Sequence, residues 1–448
     1  MACIQTVVPP VHNVPSHLSV PGFLLDDFWH VTRPKRLTDT PCLIDDNTGE
    51  KVFMEELRAR TQYLASAIRE NWNLGERDVV AIMSFNHINF PPCVWATHRL
   101  GAVVATFSPN LSVGELIHHL TISRPSLLFV HSECIPTAIQ AASRVQFPLD
   151  KIVLLNGSPS DARLLSYRSF DGLMHQGSVL PPVIEKPFKQ DEAKTRVAFL
   201  APSSGTTGVQ KAVAISHFNV ISIIIQVATF NRIGEDYTTW TERRFRPGDI
   251  CCGFLPLYHI YGLVYNLHFM LYAGMSLVVA SSFHFEKFLQ SIDRYQITHL
   301  TIVPSQAVLL CKHQAVKEHS LSSVRYCIVA AAPMSASLTR GLLKALPAVV
   351  HLGQGYGMTE TCGTVSMFPL RQKVGTLGSG GQLLPGTIAK VVKSDGKTLA
   401  KFGEVGELYI QGGQVALGYH GDEKASKETF LADGWLKTGD QVFFSEQW

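Results

Sequence analysis

Nine consecutive residues, Ser203-Ser204-Gly205-Thr206-Thr207-Gly208-Val209-Gln210-Lys211, constrain this chain more than any other stretch. An apolar run, Val197-Ala198-Phe199-Leu200-Ala201, leads straight into them, the pattern of a buried strand feeding a loop. The glycines permit positive φ and a close approach of backbone to an anion. Hydroxyls and amides donate hydrogen bonds, and Lys211 adds charge. The spacing is not the Gly-x4-Gly-Lys-Ser/Thr of a P-loop, because Gln210 stands five residues after Gly205. The segment reads as a nucleotide-phosphate loop of another class; alone, it also fits a flexible Ser/Thr/Gly surface loop.

The chain around this loop is large. At 448 residues, two or three domains are expected. A hydrophobic content of 46% with 17% charged residues indicates a soluble globular protein. A formal charge of +3 gives no argument for nucleic acid or an anionic membrane as partner. Nine cysteines without a C-x-x-C pair read as free thiols in a reducing compartment. The first ten residues lack the pattern of a secretory signal. The apolar stretch 262–280 contains Asn266 and His268 and is interrupted by Gly274, so it reads as a buried helix followed by a strand rather than a membrane span.

Short apolar strands alternate with helical segments. Residues 54–70 form an amphipathic helix; 78–83, 102–107, 126–130 and 151–155 read as strands; 178–187 reads as a Pro-rich linker. The pattern resumes with the strand before Ser203, a helix near 219–230, and strands near 276, 299, 326–330 and 349–354. This alternation predicts α/β architecture with mostly parallel sheets covered on both faces. After about residue 368, glycines and short strands at 387–392, 406–410 and 441–444 predict a small antiparallel β unit.

Three further motifs carry chemistry. Gly353-Gln354-Gly355-Tyr356-Gly357-Met358-Thr359-Glu360 follows the apolar Val349-Val350-His351-Leu352. Tyr356 is placed to stack on a purine, Thr359 to donate to a phosphate, and Glu360 to bind Mg²⁺ through oxygen. Leu255-Pro256-Leu257-Tyr258-His259-Ile260-Tyr261-Gly262 sets His259 among apolar and aromatic residues, where a satisfied core histidine is the plainer reading. Gly434-Trp435-Leu436-Lys437-Thr438-Gly439-Asp440 reads by itself as a turn, with Asp440 able to accept ribose hydroxyls.

Taken together and in order, these segments, with Ala331-Ala332-Pro333-Met334, Gly406-Glu407-Leu408 and Gly418-Tyr419, resemble the adenylate-forming superfamily of acyl- and aryl-CoA synthetases, luciferases and adenylation domains. The likeness is closest to the four-coumarate-CoA ligase and luciferase branch. It implies two doubly wound, mostly parallel sheets with flanking helices plus a small antiparallel β-barrel subdomain. The expected segments are 1–190, 191–367 with the phosphate loop and acyl pocket, and 368–448.

The resemblance implies an ATP-dependent acyl- or aryl-CoA ligase that uses ATP, Mg²⁺ and CoA and takes a small-molecule carboxylic acid. It sets Ser203, Ser204, Gly205, Thr206, Thr207, Gly208 and Lys211 on the ATP phosphates. Tyr356 is implied to stack on adenine, with Ala331, Ala332 and Gln354 lining that pocket and Asp440 on the ribose. Thr359 is implied to touch the α-phosphate and Glu360 to bind Mg²⁺. His259 is implied to steady the substrate carboxylate, and Tyr261, Tyr265, Ala332, Gly355 and Gly357 to line the acyl pocket. Two other readings are an adenylation domain passing an amino or aryl acid to a carrier protein or reductase, and a non-enzymatic nucleotide-binding derivative. Residues 254–262 contain no Asp to meet a substrate amine, which disfavours an amino acid.

The sequence departs from the family pattern at three places. Gln210-Lys211-Ala212 replaces Pro-Lys-Gly; Tyr265 is bulkier than the small residue common in hydroxycinnamate ligases; and the small domain that follows the Thr-Gly-Asp strand in the family is not within these residues. The resulting expectation is a chain that binds ATP and adenylate but turns over weakly, in the cytoplasm or peroxisome. The chemistry fits the residues. A carboxylic acid with a pKa of about 4 is ionised at neutral pH and needs no general base. Adenylation calls for charge neutralisation and alignment, which hydroxyls, amides, Lys and Mg²⁺ supply.

Overall fold

The computed structural model describes residues 4–5, 11, 13–26, 28–157, 166–203 and 210–445. Ser204, Gly205, Thr206, Thr207 and Gly208 of the phosphate loop lie outside them.

Short runs such as Val79–Met83 and Leu127–Val130 are apolar throughout because both faces of their sheet are covered. They belong to an eight-stranded sheet ordered 418–419, 211–216, 197–203, 103–107, 79–83, 127–130, 152–154 and 168–169. Its centre is parallel, and the strands at 211–216 and 418–419 are antiparallel additions. A nine-stranded sheet is ordered 382–383, 363–367, 351–358, 326–329, 299–302, 250–253, 276–279, 43–45 and 51–52.

Alternation along the strands assigns side chains to layers. Val80, Ile82 and Val104 face inward, as do Cys251 and Leu277 of the second sheet, and all join one central core. Ala81, Met83 and Ala105 face helices Val113–Ser123 and Ile135–Val145 on one outside. Cys252, Val278 and Leu300 face helices Phe285–Tyr295, Pro304–Lys312 and Ala336–Ala345 on the other. The result is helix, sheet, shared helices, sheet, helix. Helix His217–Phe230, capped by Ser216 and Asn219, lies in the shared layer and is buried on all sides, which explains its Val220-Ile221-Ser222-Ile223-Ile224-Ile225 run.

The sheets cut across the three contiguous segments expected from sequence. Strand Val197–Ser203 pairs in parallel with Val103–Phe107, and Leu43–Asp45 pairs with Ser276–Val279. Apolar runs identify strands but carry no record of their partners. The stretch 178–187 is not a free linker: Ser66 Oγ donates to the Pro181 carbonyl and Gln62 to that of Val183, strapping it to helix Met54–Trp72. Residues 262–280 fold as π-helix Tyr261–Phe269, helix Met270–Tyr272 and strand Ser276–Val279. Among the described residues no helix is long and apolar enough to cross a membrane.

The small unit is a four-stranded antiparallel sheet, Ile4–Gln5, Ile388–Val392, Gly406–Gln411 and Leu436–Val442. Its last strand begins earlier than expected, so Thr438-Gly439-Asp440 lies in a strand rather than a turn. Gly439 has φ +76, and the register shifts opposite Glu407 and Tyr409, so the strand bulges there.

Neutral histidines hold the shared layer. His98 Nε2 donates to the Ala198 carbonyl at 3.0 Å, and its ring meets that of His217 at 4.8 Å. His217 Nδ1 accepts from the Val20 amide, and His268 Nε2 accepts from Trp95 Nε1. Burial lowers all three pKa values, that of His98 to about 3 and that of His268 to about 4, from the ordinary 6.5. On acidification the unfolded chain takes up these protons first, so the stability is full above about pH 6.5 and is lost as pH falls towards 4. Calorimetry from pH 7.5 to 4.5 is expected to show a melting temperature that drops steadily below pH 6.5; a flat profile would contradict this account.

Candidate active site

The strand ends of both sheets converge on one cavity of about 550 Å³. Ser203 closes its strand there; Ala330 and Ala331 follow strand Tyr326–Val329; strand His351–Met358 runs along the wall. Ligands in open α/β sheets bind beyond such carboxyl ends.

One end of the cavity is polar. Ser203 Oγ is buried and without a hydrogen-bond partner among the described residues, an unmet donor that a ligand oxygen would satisfy. Lys211 is paired with Ser203 across the hairpin, and its Nζ lies 4.7 Å from the centre of the Tyr419 ring. The Tyr419 hydroxyl donates to Glu360 Oε1 at 2.8 Å, and burial next to that carboxylate raises the phenol pKa. Thr359 Oγ1 donates to the Pro202 carbonyl at 3.4 Å, tying the two loops together. Lys211, Thr359, Glu360 and Ser203 thus share one wall. Gln210, where the family pattern has Pro, is itself held: His119 Nε2 meets its Oε1 at 2.9 Å and His118 Nε2 its carbonyl at 3.2 Å.

The Gly-rich motif is strand rather than loop as far as Met358. Its first half pairs in parallel with 326–329 and its second half antiparallel with 363–367. A Cβ at Gly357 would lie 1.9 Å from the Gly363 carbonyl oxygen, and one at Gly353 2.2 Å from the Phe368 ring. Side chains are excluded there by close packing. Gly355, Tyr356 and Gly357 all reach the cavity. The Tyr356 hydroxyl donates to Asp440 Oδ2 at 2.6 Å, joining the expected adenine and ribose residues to each other. Ala331 lines the wall with φ +73, a left-handed conformation costly for a residue with a Cβ. Ala332 and Gln354 are not on the wall. Ala332 is exposed on the loop, and Gln354 is buried behind it, its Oε1 accepting from the Met334 amide at 2.7 Å.

The other end is apolar and closed. Ile223, Ile224 and Val227 of the shared helix face Tyr261, Val264, Tyr265 and Phe269 of the π-helix. The wide winding puts Tyr261, Tyr265 and Phe269 on one side, and such helices recur at functional sites. Gly262 allows its first turn to sit against Pro256, since a Cβ would be 2.1 Å from that carbonyl oxygen. The Tyr261 hydroxyl is buried without a partner among the described residues. His259 stands between the two ends, open to the cavity but enclosed by protein, and this enclosure lowers its pKa. Its Nδ1 accepts from the Tyr261 amide at 3.3 Å, so the neutral ring carries its proton on Nε2.

Sequence reading missed the residues that hold His259 in place. Asn86, in the turn after strand Val79–Met83, donates to the carbonyls of Gly253 and Leu255 and accepts from the Leu257 amide. Thr106 Oγ1 donates to the Tyr258 carbonyl at 2.9 Å. Thr106 lies in a strand of the eight-stranded sheet and Asn86 follows one, while 250–253 belongs to the other sheet. Glu407, Glu428 and Lys437 also line the polar end, and only a polar residue shortly after a strand, as at Asn86, was a usable signal.

Against known proteins, residues 31–420 match the family model described as AMP-binding enzyme. The chain belongs to the AMP-binding enzyme family. Asp440 lies beyond the matched segment. Among curated AMP-binding relatives, the acyl-CoA ligase easD of Emericella nidulans is 30% identical over 96% of this chain and 75% of its own length. The 4-coumarate–CoA ligase-like 4 protein of Oryza sativa subsp. japonica is 30% identical over 92% and 71%. A luciferase-like enzyme from the Zophobas morio mealworm shares the fold, with TM-score 0.81 at 24% identity over 100% of this chain and 97% of its own. A long-chain-fatty-acid-CoA ligase from Archaeoglobus fulgidus does so with TM-score 0.82 at 21% identity, over 99% and 85%. These likenesses bear out the resemblance and the α/β class of the fold.

Two substitutions test how this AMP-binding enzyme holds its site. Asn86→Ala strips three buried hydrogen bonds and is expected to cost ~3 kcal/mol in urea denaturation; an unchanged midpoint would show that the clamp carries no load. Ala331→Gly removes the left-handed penalty and is expected to add about 1 kcal/mol in the same assay.

Proposed function

We propose that this AMP-binding enzyme is an ATP-dependent acyl-CoA ligase. The observation that carries the reading is one cavity, in which a hydroxyl without a partner among the described residues, a lysine and a buried carboxylate at one end face an apolar chamber at the other, with a neutral histidine between. The names of the curated relatives, acyl-CoA ligase and 4-coumarate–CoA ligase-like, support it.

In this reading the acid's apolar body enters the chamber and its carboxylate stops at His259, whose Nε2–H donates to it. The Ser203 hydroxyl, Lys211 and Thr359 hold the triphosphate, offsetting the repulsion between two anions. One carboxylate oxygen attacks the α-phosphorus in line, the bond to the bridging oxygen breaks, and pyrophosphate leaves. In the second step the sulfur of CoA attacks the acyl carbon, the thiol proton is lost, and AMP leaves. No proton is taken from the acid, which is already ionised at neutral pH.

Glu360 is the residue that would hold Mg²⁺. Among the described residues no group of three His, Cys, Asp or Glu forms a cage. A single carboxylate plus substrate phosphates is nonetheless a usual magnesium donor set. When bound, the ion supplies charge to the phosphates. Tyr356 would stack on adenine and Asp440 would take the ribose through the oxygen not engaged by Tyr356.

Isotope exchange between pyrophosphate and ATP tests the reading. Exchange is expected only with a carboxylic acid and Mg²⁺ present, and Lys211→Ala is expected to reduce it by about 100-fold. His259→Ala is expected to raise the KM for the acid more than that for ATP. Exchange that needs no acid, or that survives Lys211→Ala unchanged, would overturn the proposal.

A further inference from the structure

The closed end of the cavity has a floor whose construction bears on which acids fit. Tyr265 and Phe269 form its surface, with Ile328 beside them. Tyr265 is held from behind: its hydroxyl meets that of Tyr326 at 3.0 Å. Tyr326 does not line the cavity and is fully buried. It lies on strand Tyr326–Val329 two residues before Ile328, on the same face.

The residues behind Tyr326 are aromatic and tightly placed. Its ring is 5.0 Å from Phe245, 5.0 Å from His299 and 5.9 Å from Phe368, the last stacked. Arg244 caps that stack, its guanidinium 4.1 Å from the Phe368 ring and hydrogen-bonded to the carbonyls of Phe368 and Pro369. A buried ring packed on three others has no room to retreat. Tyr265 is therefore pinned by a hydroxyl that this packing holds in place, and among the described residues the two hydroxyls have no partner but each other.

We infer that the Tyr265–Tyr326 hydroxyl pair is the depth stop of the acyl chamber, with Tyr265 the specificity-determining residue and Tyr326 a positioning residue that acts through it. This rests on the ligase reading. The roughly 550 Å³ must accommodate nucleotide and acid together, so the space beyond His259 takes a compact acyl group, an aromatic ring or a short chain. A long straight chain runs into Tyr265.

Equilibrium binding of three acyl-sulfamoyl adenosines, benzoyl, hexanoyl and dodecanoyl, to the 448-residue chain tests the stop. The wild type is expected to bind the benzoyl or hexanoyl probe at least 10-fold more tightly than dodecanoyl, the scale of overfilling a packed wall. Tyr265→Ala is expected to bring dodecanoyl level with the shorter probes. Tyr326→Phe is expected to narrow the preference by about 3-fold without touching the ligand, because Tyr265 loses its anchor. Since Tyr326→Phe leaves one hydroxyl unpaired, the double variant Tyr265→Phe/Tyr326→Phe keeps the test open if the single variant folds poorly; it too is expected to narrow the ratio. The ratio between probes is the readout, because a merely destabilised fold weakens all three alike. Equal binding of short and long probes by the wild type, or an unchanged ratio in Tyr265→Ala or in the folded Tyr326 variants, overturns the stop. Failure of all three probes to bind the wild type overturns the ligase reading and the stop with it.

Discussion

The site depends on one side-chain amide. Asn86 belongs to the end of one sheet, and the three main-chain groups it binds belong to the end of the other, as many as 171 positions away in sequence. A buried amide with donors and acceptor all engaged fixes both distance and orientation, because no partial displacement keeps every bond. The residues that follow, Leu257 to Tyr261, start from that point. The position of His259 between the polar and apolar ends is thus a property of the junction between sheets. The cavity opens where it does because this junction holds two sets of strand ends face to face.

The electrostatic character of the site follows from what is neutral. His259 is exposed to the cavity and neutral, its pKa lowered by the surrounding protein, the tyrosines that line the walls have pKa values raised by burial, and the buried acid Glu360 accepts from a phenol. Lys211 is held over an aromatic face, where its charge is not cancelled. Formal charge is therefore concentrated at one end, and the rest of the cavity supplies directional hydrogen bonds. Such a surface favours a ligand with an ionic part at that end, where Lys211 and Lys437 stand among Glu360, Glu407, Glu428 and Asp440, and an uncharged body at the other.

Much of this was legible in the sequence, for a physical reason. Strands covered on both faces must be apolar throughout, so Val79–Met83 and Leu127–Val130 announced themselves. Glycines in close-packed places have no substitute, so the alternation Gly353, Gly355, Gly357 marked a crowded place, with Phe368 against the first and the Gly363 backbone against the last; what it hid was that the crowding is that of a strand between two neighbours rather than of a loop. Contacts between distant segments left no local trace. Nothing near Tyr265 points to Tyr326, 61 residues on, and nothing near Asn86 points to Leu257. Ala332 and Gln354 show the converse limit, for adjacency to the right loop does not place a residue on the wall: Ala332 is exposed on its loop, and Gln354 is engaged by the Met334 amide.

The π-helix at Tyr261–Phe269 sets length against stability. Its extra residue per turn is held in place by the surrounding packing, and an ordinary α-helix has the better internal hydrogen bonds. Loss of one residue within this segment would let it relax to that helix and change which of its side chains meet the cavity. The shape of the chamber is thereby encoded in the count of residues along nine positions as much as in their identities.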